Sequence, residues 1–165
     1  MKHLLKLALL LAILFQAGYA GPWIQGNVIK VSDGDTFQMI AGGKKYKIRL
    51  MGVDCPESKQ EYGPESKSAT ANLILGKEVK VEILDTDRYG RIVGDVWIGK
   101  THLNYWLVSG GNAWWYSRYA PHRKDLQAAE QSARNARLGL WKNPKPTPPW
   151  DWRSEKRSKQ SKRKR

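Results

Sequence analysis

The chain has 165 residues with 29 Lys and Arg against 15 Asp and Glu, one Cys and three His. That length holds one core-bearing domain, and a formal charge of +14 asks for a polyanionic partner: nucleic acid, anionic lipid or an acidic glycan. A single cysteine excludes an intramolecular disulfide framework and any zinc site built mainly on thiolates.

The first element is a leader. Lys2 and Lys6 flank the start of an apolar run from Leu7 to Phe15, which ends in Ala17-Gly18-Tyr19-Ala20. A basic start, a short apolar stretch and small residues predict a secretory signal peptide over 1–20, cleaved after Ala20. The run is shorter than the ~20 residues a membrane-spanning helix needs. The expectation is an exported protein, secreted or periplasmic, with no stable membrane insertion after cleavage.

From Gly21 onward the pattern is strand-rich. Trp23 to Val31 and Thr36 to Ile40 alternate apolar and polar residues, Gly42-Gly43 makes a hairpin turn, and Tyr46, Ile48 and Leu50 alternate on the return strand. Gly63-Pro64-Glu65 opens a helix that runs to about Leu75 and stops at Gly76. Val79, Val81 and Ile83 alternate again, Asp85 to Gly90 turns, and Ile92 to Ile98 is the last strand. Helical spacing then takes over at Leu103, Trp106 and Leu107, and at Leu126, Ala129, Ala133 and Ala136, with Gly139 as the stop. Five strands and three helices without regular alternation predict an α+β domain over 21–141, its sheet closed into a small barrel that leaves no edge.

Beyond Trp141 the composition changes. Residues 142–165 carry ten basic and two acidic side chains, whereas 21–141 carry 17 and 13. Asn143 to Trp150 is a proline-rich spacer, and after Arg153 almost nothing apolar follows. A disordered basic tail over 142–165 is predicted, removable without harm to the fold. Trp150 and Trp152 either stack on bases or pack on the barrel.

Three short segments carry chemistry. Ser32-Asp33-Gly34-Asp35-Thr36 sets two carboxylates around a glycine at the head of a strand, which is also an ordinary turn. Ile48-Arg49-Leu50 leads to Val53-Asp54-Cys55-Pro56-Glu57, and Asp87-Arg88-Tyr89-Gly90-Arg91 puts two arginines and a tyrosine in one turn. Each alone reads as a polar loop. Together they supply hard oxygen ligands in Asp35 and Asp54, a base in Glu57, and bidentate phosphate donors in Arg49 and Arg91. Phosphodiester hydrolysis needs those three parts. Only His102 and His122 lie outside the leader, and no glycine-rich nucleotide loop is present.

With these motifs, joined by Tyr62-Gly63-Pro64-Glu65 and Gly139-Leu140-Trp141, residues 23–141 resemble the thermonuclease, or staphylococcal-nuclease-like, family of secreted Ca²⁺-dependent nucleases. The resemblance implies a five-stranded oligonucleotide-binding (OB-fold) β-barrel with three helices, acting as a monomer on DNA and RNA and leaving 3′-phosphate ends. It implies Asp35, Asp54 and the Cys55 carbonyl as calcium ligands, Arg49 on the scissile phosphate, Glu57 as general base and Arg91 on the leaving oxygen. Arg88 and Tyr89 would contact a neighbouring phosphate. Cys55 stands where the family more usually has Thr, and is expected to be a small packed residue. The base-stacking aromatics fall in Trp114 to Tyr119, with Tyr119 first and Trp115 second, the two tryptophans being more fitting for the core. Two other readings remain: a module of this fold that binds nucleic acid without cutting it, and a basic envelope protein that binds polyanions.

Overall fold

In the computed structural model, which describes residues 22–163, five strands form a closed barrel. β1 (Trp23–Asp33), β2 (Thr36–Ala41) and β3 (Lys44–Leu50) make an antiparallel meander. Its second hairpin turns on Gly42 and Gly43, both at positive φ (53° and 75°), as a two-residue turn of this hand requires. A two-residue strand, β4 (Val53–Asp54), follows, and helix α1 (Gly63–Ile74) then carries the chain across the barrel to β5 (Glu78–Thr86) beside β1. β6 (Ile92–Ile98) pairs antiparallel with β5 and parallel with β3, Ile48 opposite Ile92 and Arg49 opposite Val93. That parallel pairing closes the barrel.

The interior is filled by the alternate residues that the strand pattern directs inward: Val28, Phe37, Met39, Ile48, Leu50, Val79, Val81 and Val96 are all buried. Ile74 of α1, Leu103 and Leu107 of α2 (Leu103–Ser109) and Leu126 of α3 (Lys124–Asn135) close its ends. Two more short strands, β7 (Thr101–His102) and β8 (Trp114–Trp115), pair with β6 and β4. A second apolar cluster gathers Trp114, Ala133, Leu140 and Trp141, with Arg134 over both tryptophan rings, 3.8 Å from the Trp141 centroid.

The α+β barrel of the sequence reading stands, with one helix more than the three expected. Residues Pro149–Arg163 form a helix, α4, where a disordered tail was predicted. The physical reason is local docking. Trp150 stacks on Tyr116 (ring centroids 5.3 Å apart, planes 4° apart) and packs edge-on to Trp114, which fixes the first turn. Pro149 suits the first helical position, Asp151 favours the helix start, and the polar residues beyond propagate an ordered turn. The leader over 1–20 lies outside the described residues. Among the described residues, no helix is long and apolar enough to cross a membrane.

Candidate active site

The site is built where the first hairpin meets the end of β3. β1 and β2 are joined by Gly34 and Asp35 alone, with Asp33 paired to Thr36. Asp35 is nearly buried, and its carboxylate is fixed from three sides. The Cys55 amide donates to Oδ2 (2.7 Å), the Thr36 hydroxyl donates to Oδ1 (3.0 Å), and the Arg49 guanidinium pairs with Oδ2. Arg49 projects from β3 directly opposite Thr36. Its other terminal nitrogen, Nη2, donates to Asp54 Oδ1 at 2.9 Å. Asp54 sits on β4, only 1 % exposed, so two carboxylates from distant parts of the chain share one guanidinium.

The electrostatics follow from burial. Desolvation raises the Asp54 carboxyl above its ordinary range and the neighbouring Asp35 raises it further, against the lowering effect of Arg153 and Arg49. Burial alone would lower the Arg49 guanidinium, but Asp35 and Asp54 outweigh it and hold the group charged. Cys55 is packed in the core, and burial, with Asp35 second, pushes its thiol well up, so it is an inert small residue and not a reactive one.

Glu57 stands three residues beyond Asp54 on the loop before α1. Its amide donates to Gln60 Oε1 (3.1 Å), while the Gln60 amide is donated to the Thr147 carbonyl (2.5 Å). Glu57 reaches Asp54 through Arg153 of α4, which donates to Asp54 Oδ2 (2.7 Å), Asp54 Oδ1 (3.2 Å) and Glu57 Oε1 (2.8 Å). Sequence reasoning missed Arg153. The signal was present in Trp150-Asp151-Trp152-Arg153, an aromatic anchor followed by one arginine, but the charge of the whole tail obscured it.

Arg88, Tyr89 and Arg91 lie together in the β5–β6 turn. Asp87 organises it, accepting from the Tyr89 amide (2.9 Å), the Arg91 amide (3.0 Å) and Arg91 Nε (2.6 Å). Tyr89 is 69 % exposed, with the Arg88 guanidinium 4.9 Å and that of Arg91 5.5 Å from its ring centroid. Among the described residues no hydrogen bond or ion pair joins this turn to Asp35, Asp54 or Glu57. The strand register nonetheless sets Arg91 two residues before Val93, the partner of Arg49. Tyr119 is 66 % exposed and leans on Tyr116. Trp115, the second choice for stacking, is half-buried in the β4–β8 pair with its Nε1 donating to the Ala120 carbonyl (3.0 Å), and Trp114 is core.

The candidate ligands, the Asp35 and Asp54 carboxylates and the Cys55 carbonyl, all offer oxygen, the set a hard cation takes. Among the described residues no three His, Cys, Asp or Glu side chains form a cage. A cation held by two carboxylates and a carbonyl would keep most of its coordination positions for water and substrate oxygens.

A family model described as staphylococcal nuclease homologue matches residues 47–143, a span that contains Arg49, Asp54, Glu57 and Arg91 and begins after Asp35. The chain is 34% identical over 163 residues to Protein ParB of Escherichia coli, covering 92% of each chain. It is 40% identical over 134 residues to an uncharacterized endonuclease of Escherichia coli, covering 81% of this chain and 87% of that one. To the probable staphylococcal-like nuclease CAN1 of Oryza sativa subsp. japonica it is 43% identical over 115 residues, 70% of this chain and 34% of the rice protein. The chain thus spans about a third of the rice relatives it matches. With this barrel, this carboxylate–arginine site and these matches, the chain belongs to the staphylococcal nuclease homologue family.

Proposed function

We propose that the protein is an exported, calcium-dependent nuclease that hydrolyses phosphodiester bonds of DNA, RNA or both and leaves 3′-phosphate ends. The observation that carries this reading is Arg49 clamped between the buried carboxylates of Asp35 and Asp54, with Glu57 three residues away. The relatives named as nucleases support it, and the leader pattern of residues 1–20 supports export.

Asp35, Asp54 and the Cys55 carbonyl would hold Ca²⁺, whose charge would neutralise non-bridging phosphate oxygens and acidify a bound water. Arg49, preorganised by its two carboxylates, donates N–H bonds to the phosphate. Glu57 takes a proton from the attacking water at a carboxylate oxygen as the water oxygen bonds to phosphorus. The P–O5′ bond breaks, and Arg91 stabilises the charge that grows on the phosphoryl oxygens and the leaving 5′-oxygen. Arg88, Tyr89 and Tyr119, all exposed, would position neighbouring phosphates and a base.

Two substitutions separate cutting from binding. Glu57→Ala and Arg91→Ala should each lower turnover by about 10²–10⁴, because both residues act in the transition state. Binding of a short single strand with Ca²⁺ should change far less. Normal cleavage by both variants would reject these roles; binding without any cutting by the native chain would favour a binding module.

A further inference from the structure

Arg153 does more than fasten a helix. After Trp141 the chain is held back against the site in three steps. Asn143 donates to Glu61 Oε2 (2.9 Å), Gln60 donates to the Thr147 carbonyl, and Trp150 stacks on Tyr116. The first turn of α4 then delivers one guanidinium between the Asp54 and Glu57 carboxylates. With Arg49 on Oδ1 and Arg153 on both oxygens, each Asp54 oxygen already accepts from an arginine. Glu57 Oε1 is engaged by the same side chain.

Those are the atoms the proposed mechanism needs free. A divalent cation on Asp54 would stand beside Arg153 with like charge, and the pair cannot both hold the carboxylate closely. The two arginines differ in how readily they yield. Arg49 is buried on a barrel strand, whereas Arg153 is about a third exposed at the start of a helix whose residues 154–162 are exposed. Arg153 is the one that leaves.

We propose that Arg153 is an internal cation that competes with the metal for Asp54 and with the attacking water for Glu57, so that α4 keeps the site closed until the metal displaces it. The proposal rests on the calcium reading above. Its strength follows from population arithmetic: if nine molecules in ten are closed, the apparent affinity for Ca²⁺ is weakened about tenfold.

The test uses the full chain, full-chain Arg153→Ala and full-chain Arg153→Lys, without nucleic acid. Ca²⁺ is titrated calorimetrically, and hydrogen exchange of residues 149–163 is followed with and without Ca²⁺. Arg153→Ala should bind Ca²⁺ about tenfold more tightly than the native chain. Arg153→Lys should fall between, because it keeps the charge and loses the two-pronged fork. In the native chain Ca²⁺ should speed exchange over 149–163. Equal or weaker binding by Arg153→Ala, or exchange that Ca²⁺ leaves unchanged, would overturn the proposal while the calcium reading stands. Absence of Ca²⁺ binding in all three chains would remove the calcium reading, and the proposal with it. Arg153 is about a third exposed and is not one of the buried core residues, so both variants test the closed state and not the fold.

Discussion

Gly34 sits where the first hairpin presses against Ser66 and Cys55. A Cβ there would press on the Ser66 hydroxyl and lie 2.8 Å from Cys55 Sγ. Both neighbours are held, Ser66 by its Oγ donating to the Asn112 carbonyl (2.7 Å) and Cys55 by its amide donating to Asp35, while Thr70 Oγ1 fixes Gly34's own carbonyl (2.5 Å). The glycine is required by this close approach and not by turn geometry. Gly34→Ala should therefore destabilise the fold by about 1–3 kcal/mol through overpacking, read as a lower midpoint in urea unfolding. Adding Cys55→Ala in the same chain should recover part of that loss, since it removes the Sγ contact and leaves the Cβ of residue 55 at 2.9 Å. Equal stability of Gly34→Ala and the native chain would show that the hairpin relaxes freely, and would leave Asp35 less firmly placed than described.

At the scale of elements, α3 is tied to the barrel by charge at its first turn. Arg123, just before the helix, donates from Nη1 to both Asp95 oxygens on β6 (2.9 and 3.0 Å) and from Nη2 to Asp125 (2.8 Å). The hydrogen bonds from Arg123 hold the Asp125 carboxyl below its ordinary 3.8, more than offsetting burial. The unfolded chain thus binds more protons at this group, so its contribution is complete above about pH 5 and is lost as pH falls through the lowered folded value. Asp125 is largely exposed, which limits the effect to under about 1 kcal/mol. Thermal midpoints of the native chain and Asp125→Asn should differ at pH 6 and draw together as pH falls below 3.8. A constant gap would deny the charge origin of the tie.

The elements themselves differ in how plainly the sequence announces them. The long strands were legible because burial on one face imposes period-two alternation, clear in Tyr46, Ile48 and Leu50 and in Ile92 to Ile98. β4 and β8 were not, because two paired residues carry no period. The carboxylate–arginine set could be named from Asp35, Arg49, Asp54 and Glu57, yet the part Arg153 plays depends on a fold that brings residue 153 to residue 54. The helix it starts was hidden for the same reason: its apolar purchase is Pro149, Trp150 and Trp152, and the two tryptophans need the barrel as partner.

For the whole molecule, charge is the dominant organisation. Beyond Ser154 the chain has seven basic residues and one acidic, and the described ones are exposed. Truncation after Ser154 keeps Trp150, Trp152 and Arg153 docked and removes a net +6. Each phosphate neutralised contributes about −0.7 to the log–log salt slope on single strands and about −0.9 on duplex, so three or four engaged charges are worth roughly 2 to 3.5 units. The truncated chain should bind long polymers with a slope flatter by that amount and act on very short substrates as the native chain does. Equal slopes would assign the helix end to some other polyanion, an envelope polymer or a lipid surface.

The proposed cation site is Asp35, Asp54 and the Cys55 carbonyl, working with Glu57, Arg49 and Arg91. Its most direct test is cleavage of DNA and of RNA by the full chain in Ca²⁺, in Zn²⁺ and in excess chelator. Oxygen donors of this kind favour Ca²⁺ and serve Zn²⁺ poorly. Cleavage in Ca²⁺, weak cleavage in Zn²⁺ and none in chelator is the predicted result; full cleavage in excess chelator would contradict the mechanism.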